Sequence, residues 1–290
     1  MLWQRLLTAA IGIPLLLVLV YLGGWYLGAA ILLLATLGLA EYFGLAAACG
    51  LRPIVWVGYA AGAAVVVATA LEGAILPSQG FLAEAALNDE LAIILASAAI
   101  ALLVQQVVTS AGPVTIANAG ATLLGIAYLP VLFSCLLRLR SISLETTWLS
   151  HVGMSVPSGA CWLFLVIAAC WAGDTAAYAI GRAFGRHKLC PDISPGKTVE
   201  GAAAALVASV VVAAALGTWF GLSLTYGVIL GVMLGVAGQL GDLSKSIMKR
   251  QAGVKDSGAI LPGHGGILDR FDSLLFSGPI AYYYLRSIVS

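Results

Sequence analysis

The chain has 290 residues, of which 61% are hydrophobic and 9% charged, with a net charge of +1 and a mean hydropathy of +1.02. A soluble domain carries roughly a quarter charged residues, so these values exclude a water-soluble globular enzyme; the net charge of +1 says nothing about nucleic acid, no basic tail is present, and no nucleic-acid partner is expected. Lipid is the solvent for most of this protein.

The N-terminus, Met1 to Arg5 followed by an apolar run from Leu6, has the outline of a signal peptide. The run continues to about Tyr21 with no small-residue cleavage site, so a retained first helix is expected. A helix needs about 20 apolar residues to cross about 30 Å of hydrocarbon. On that basis nine spans are predicted, at 5–22, 25–44, 54–71, 90–108, 118–137, 159–181, 200–218, 224–248 and 273–289. The expected fold is all-α and polytopic. Residues 1–158 read as scaffold and lipid path, and 159–290 as catalytic helices with cytoplasmic loops. The first connection is only Gly23-Gly24, the segment 72–90 is an acidic loop (Glu72, Glu84, Asp89, Glu90), and 141–158 has room for an interfacial helix. Gly227, Gly231, Gly235 and Gly238 recur at helical spacing in the eighth span, a pattern that serves close helix packing. The cysteines (Cys49, Cys135, Cys161, Cys170, Cys190) show no CxxC or Cys/His spacing and read as packing residues.

Nine spans place eleven basic residues on the N-terminal side, from Arg5 and Arg52 through the loops 182–199 and 249–272, against three (Arg138, Arg140, Arg286) on the other. This bias puts the N-terminus and those two loops in the cytoplasm.

Seven of the thirteen acids (Asp174, Asp192, Glu200, Asp242, Asp256, Asp269, Asp272) lie between 174 and 272. An aspartate at mid-bilayer costs about 2.5–3.5 kcal/mol on insertion scales, so it needs a metal, a cation or a substrate as partner. The densest run is GDLSKSIMKRQAGVKDSGAILPGHGGILDRFD, Gly241 to Asp272. On a helix Asp242, Ser246 and Lys249 form one stripe, and Asp269 and Asp272 share a face. The Leu-Pro-Gly-His-Gly-Gly between them must be an irregular turn. Three carboxylates are expected to converge beside Lys249, Arg250, Lys255 and Arg270. Hard oxygen ligands suit Mg²⁺ or Mn²⁺, and a metal flanked by Lys and Arg is what phosphoryl or nucleotidyl transfer requires. Helix-end ion pairs would explain any one of these residues, but not their density. His264 is a turn residue, a phosphate contact or an acid, and not a metal ligand.

A second cluster runs from Trp171 to Gly201. Asp174 sits inside an apolar span with Tyr178 one turn on; Ser194-Pro195-Gly196-Lys197-Thr198 forms a polar elbow, and Glu200 falls in the next helix's first turn, where negative charge is favoured. Gly196-Lys197-Thr198 imitates the end of a P-loop, but Pro191 stands where the required first glycine belongs.

The run Ser246 to Asp272, with Asp174-Thr-Ala-Ala-Tyr178 and Ile193-Ser-Pro-Gly-Lys-Thr-Val-Glu-Gly201 upstream, resembles the signature of phosphatidate cytidylyltransferases, the CDP-diacylglycerol synthases. The motifs cover the chain from about 171; the N-terminal half matches only in hydropathy and in Glu41. The resemblance implies a nine-helix, often dimeric membrane enzyme using CTP and phosphatidic acid. It implies a centre of Mg²⁺ or Mn²⁺, with a second monovalent cation such as K⁺, on Asp242, Asp269 and Asp272. Lys249, Arg250, Asp269 and Arg270 would carry catalysis. Asp174, Ser194, Lys197, Thr198, Ser246, Lys255, Asp256, His264, Gly265 and Gly266 would meet the substrates. Gly196 departs from the family, which commonly has a basic residue there. The rival readings are a CDP-alcohol phosphatidyltransferase, whose Asp-Gly and Ala-Arg pairs are missing, a lipid kinase, and a cation-coupled transporter, which would disperse its acids near mid-membrane.

Overall fold

A computed structural model describes residues 2–75, 81–108, 115–143, 157–258 and 265–289. The helices are α1 (Leu2–Leu22), α2 (Gly24–Ala48), α3 (Val55–Ile75), α4 (Phe81–Val108), α5 (Thr115–Ile126), α6 (Leu132–Arg140), α7 (Ser158–Phe184), α8 (Val199–Trp219), α9 (Leu224–Gln251) and α10 (Leu268–Val289). A π-helical turn, Ala127–Val131, joins α5 to α6 without a break; it holds Pro130, whose missing N–H forces such a local widening. Every predicted span lies on one of these helical segments, and the protein is an all-α polytopic membrane protein. Seven of the described helices are long and apolar enough to cross a bilayer.

Two expectations need correction. Most of the predicted acidic loop 72–90 is helical, because α3 runs on to Ile75 and α4 begins at Phe81; hydropathy marks the part of a helix that lipid surrounds, not the turns that project beyond it. The polar elbow is a small antiparallel hairpin of β1 (Lys188–Cys190) and β2 (Ser194–Thr198), with Lys188 opposite Thr198 and Cys190 opposite Ser194. Gly196-Lys197-Thr198 therefore sits on a strand, not in a phosphate-cradling loop. Most of the segment 141–158 lies outside the described residues.

The chain folds as two units. The first comprises Met1–Ile13, Leu22–Arg138 and Gln251–Arg270, the second Pro14–Tyr21, Leu139–Arg250 and Phe271–Ser290. In the first, Val57, Ala61, Ala98, Leu102, Ala119 and Ile126 form a buried core. The α2–α3 connection is held by side chains of α5: the amides of Arg52 and Ile54 donate to Asn118 Oδ1 and Thr122 Oγ1 at 2.7 and 2.8 Å.

The second unit is built on small residues. A Cβ on Gly231 would lie 2.5 Å from Val210 Cα, one on Gly235 2.9 Å from Leu206 Cδ1, and one on Gly241 2.3 Å from the Asp272 carbonyl oxygen. Thus α9 meets both α8 and α10 backbone to backbone, as the glycine spacing predicts. Ser209 Oγ donates to the Ala169 carbonyl at 3.1 Å, tying α8 to α7. Arg140 donates to the carbonyls of Val20 and Tyr21 at 2.7 and 2.8 Å, satisfying two acceptors at the end of α1.

Gly231→Ala should lower the thermal midpoint of the detergent-purified protein by several degrees, since helix backbones in this packing cannot yield half an ångström cheaply. Gly120→Ala, with nothing within 4 Å of the added carbon, should leave the midpoint unchanged or slightly raised.

Candidate active site

In the second unit α9 and α10 bring two of the predicted aspartates onto one cation. Lys245, only 7% exposed, hydrogen-bonds to Asp272 Oδ2 and lies 3.0 Å from Asp242 Oδ1. Lys197, from β2, reaches Asp242 Oδ2 at 2.8 Å. The Ser273 amide donates to Asp272 Oδ1 at 2.7 Å. Asp174 on α7 shares a side-chain hydrogen bond with Ser273 and lies within electrostatic range of Asp242, Lys197 and Lys245. Three carboxylates face two ammonium groups, so the cluster retains a formal negative charge. Such a cluster is complementary to a further cation.

Local structure explains the convergence. Asp242 and Lys245 are three residues apart on α9, so their side chains share a face. Gly241 lets the α10 backbone at Asp272 come close enough for Lys245 to span the gap. Thr198 Oγ1 accepts from the Gly201 amide at 3.2 Å, capping α8 and fixing the end of β2 beside Lys197. Glu200 accepts from the Arg186 amide at 3.1 Å and lies 2.6 Å from His187 Nδ1, closing the same open end of the hairpin from the β1 side. Arg250 Nε donates to the Ile193 carbonyl at 3.1 Å, joining the end of α9 to the hairpin turn.

The remaining predicted residues take varied places. Ser246 Oγ bonds back to the Asp242 carbonyl at 2.8 Å within α9. Lys249 lies half-buried in the last turn of α9, and the cations that touch Asp242 are Lys197 and Lys245 instead. Ser194 stands opposite Cys190 in the hairpin. Tyr178 accepts from Arg182 Nη1 at 2.8 Å. Lys255, Asp256 and Arg270 are exposed. His264 lies outside the described residues. Gly265 adopts φ +79°, a backbone that only glycine takes without strain.

Asp269 has its partners within the first unit. Its Oδ2 accepts from the Ser257 amide and hydroxyl, both at 3.0 Å, and from the Gly266 amide at 3.4 Å. Ser257 Oγ also lies 3.0 Å from Glu41 Oε2. The sequence reading missed Lys245 and Ser257 and left Glu41 without a role. Lys245 carried a signal: it is the basic residue three positions after Asp242. Glu41 carried one too, as the single charged residue of α2.

Among the described residues no group of three or more His, Cys, Asp or Glu side chains could by itself hold a metal ion. Mg²⁺ commonly takes one or two carboxylates and completes its shell with water and substrate phosphates. The hard oxygens of Asp242 and Asp272, already gathered on one cation, fit that donor set.

Apolar helices that gather carboxylates and ammonium groups at one cluster are compatible with a membrane-embedded enzyme of the phosphotransfer class. The sequence model of the cytidylyltransferase family matches residues 3–288. The chain is 37% identical to the phosphatidate cytidylyltransferase of Synechocystis sp., over 97% of this chain and 96% of that protein. It is 46% identical to the phosphatidate cytidylyltransferase of Bacillus subtilis and 50% to that of Staphylococcus saprophyticus. Those two matches cover 44% and 43% of this chain, and each spans 48% of the relative's length. The chain belongs to the cytidylyltransferase family and is a nucleotidyltransferase.

Lys245→Met should destabilise the folded protein by about 3–5 kcal/mol, because it leaves the buried Asp272 carboxylate without its counter-charge. Combining it with Asp272→Asn should restore part of the loss, a coupling that thermal unfolding of the two single variants and the double variant would measure.

Proposed function

We infer that this protein is a phosphatidate cytidylyltransferase, transferring CMP from CTP to phosphatidic acid to give CDP-diacylglycerol and pyrophosphate. The observation that carries the reading is the convergence of Asp242 and Asp272 on the buried Lys245, with Lys197 beside them, in a chain of this family. A phosphate oxygen of the lipid attacks the α-phosphorus of CTP; the bond from that phosphorus to the bridging oxygen breaks, and pyrophosphate leaves. The attacking oxygen is already anionic, so no strong general base is required.

Asp242 and Asp272 would hold Mg²⁺ (or Mn²⁺), which when bound supplies neutralisation of the nucleotide's phosphate charge. Lys245 touches both carboxylates and Lys197 reaches Asp242, so the two acids are directed at a common point. Lys249, Arg250 and Arg270 are the cations assigned to the charge that grows on the departing pyrophosphate. Asp269 belongs to the same functional set, one turn before Asp272 on α10. The apolar helices hold the acyl chains while the headgroup meets CTP. The basic bias of the loops 182–199 and 249–272 supports a cytoplasmic face of a bacterial inner membrane for this chemistry, and a homodimer is the expected assembly.

Incubation of purified protein with labelled CTP and phosphatidic acid should yield lipid-bound CMP and free pyrophosphate, and chelation of divalent cations should stop it. A lipid kinase would instead yield a phosphorylated lipid without bound cytidine. Asp242→Asn and Asp272→Asn should each lower kcat by about a hundredfold or more, as expected for groups acting mainly in the transition state. Asp269→Asn should lower activity by more than about tenfold; a smaller fall would remove Asp269 from the functional set.

A further inference from the structure

Glu41 is the single charged residue in the 25 residues of α2, and it is buried, at 6% exposure. A lone carboxylate in an apolar helix is costly, so a membrane protein retains one only where it has partners and a function. Its partners all come from the short segment that leads into α10. Oε1 accepts from the Ile267 amide at 2.8 Å, and Oε2 from the Leu268 amide at 3.0 Å. Amides at a helix start have no acceptor within their own helix, and the positive end of the helix dipole favours a negative charge there. Glu41 thus caps α10 from a position more than two hundred residues earlier in the chain.

The segment is shaped to receive this side chain. A Cβ on Gly266 would lie 2.3 Å from Glu41 Oε2, and one on Gly258 2.6 Å from Oε1. Both glycines leave open the space the carboxylate fills. The connection then continues to Asp269 through Ser257, whose hydroxyl lies 3.0 Å from both Glu41 Oε2 and Asp269 Oδ2. One hydroxyl proton serves only one carboxylate at a time, but Asp269 also holds the Ser257 amide at 3.0 Å, so the serine stays fixed in either case. Glu41, Ser257, the first amides of α10 and Asp269 form one continuous hydrogen-bonded unit.

We propose that Glu41 is a positioning residue for cytidylyl transfer: it fixes the first turn of α10 and, through Ser257, the carboxylate of Asp269. This rests on the functional reading given above. It gives the N-terminal helices a part in the chemistry beyond scaffold and lipid path.

The test compares full-length wild type with Glu41→Gln in detergent or nanodiscs. Glutamine keeps the shape but turns one acceptor into a donor that faces N–H and O–H groups. Two readouts are needed, namely hydrogen exchange at the Ile267 and Leu268 amides and steady-state kinetics with CTP and phosphatidic acid. Loss of charge-assisted hydrogen bonds predicts exchange at those amides about tenfold faster or more, and kcat about tenfold lower or more, with the KM for phosphatidic acid within about twofold of wild type. A folded Glu41→Gln protein with kcat within about twofold of wild type, or with unchanged exchange at the two amides, would overturn the proposal. Should that variant fail to fold, Glu41→Asp, which keeps the charge but is one methylene too short to reach both amides, is judged by the same readouts. Absence of product from the wild type would overturn the reaction instead, and the exchange comparison would then decide the role of Glu41 by itself.

Discussion

Burying charge among apolar helices is the constraint on which this structure depends, and the link from Lys245 to Asp242 and Asp272 is where the protein meets it. Ions removed from water cost several kcal/mol each unless their partners are close and well directed. Here each charge has such a partner: Asp242 lies between Lys197 and Lys245, and Asp272 between Lys245 and the Ser273 amide. A hydrophobic replacement of similar size would pack at least as well, so stability alone does not account for these groups. The proposed chemistry on a charged substrate would.

The glycine stripe of α9 and the ionic cluster belong to one design. Gly227, Gly231 and Gly235 seat α9 on α8, and Gly241 seats it on α10 at the residue whose side chain Lys245 holds. Close backbone approach shortens the gap that an ammonium must bridge. It also fixes the two helices so that the carboxylates are presented with little rearrangement, which is how electrostatic preorganisation contributes to catalysis. The hairpin contributes in the same way. Thr198 and Glu200 lock its open end onto the start of α8, which holds Lys197 against Asp242.

Much of this was legible in the sequence, for identifiable reasons. Apolar runs of span length are an unambiguous signal, and all the predicted spans lie on helices. Asp242 and Asp272 were legible because isolated acids in apolar helices demand partners. Lys245 was not, since the stripe drawn from Asp242 through Ser246 to Lys249 passed over the neighbour three residues on. The helical start of α4 was hidden because polar helical turns and polar loops have similar hydropathy. Glu41 was legible only as a point of resemblance to the family, since its partners lie in a glycine-rich segment more than two hundred residues later, a pairing that no local pattern encodes. The hairpin was read as a polar elbow because its strands are too short for alternation to show.

The central claim is that Asp242 and Asp272 form a cation site that serves the nucleotide. Electron paramagnetic resonance of Mn²⁺ titrated into the purified protein with CTP, for wild type and Asp272→Asn, tests it most directly. A protein-bound Mn²⁺ signal is expected in the wild type, and its loss, or a weakening of affinity by about tenfold or more, in the variant. Equal Mn²⁺ affinity in the two proteins would contradict it.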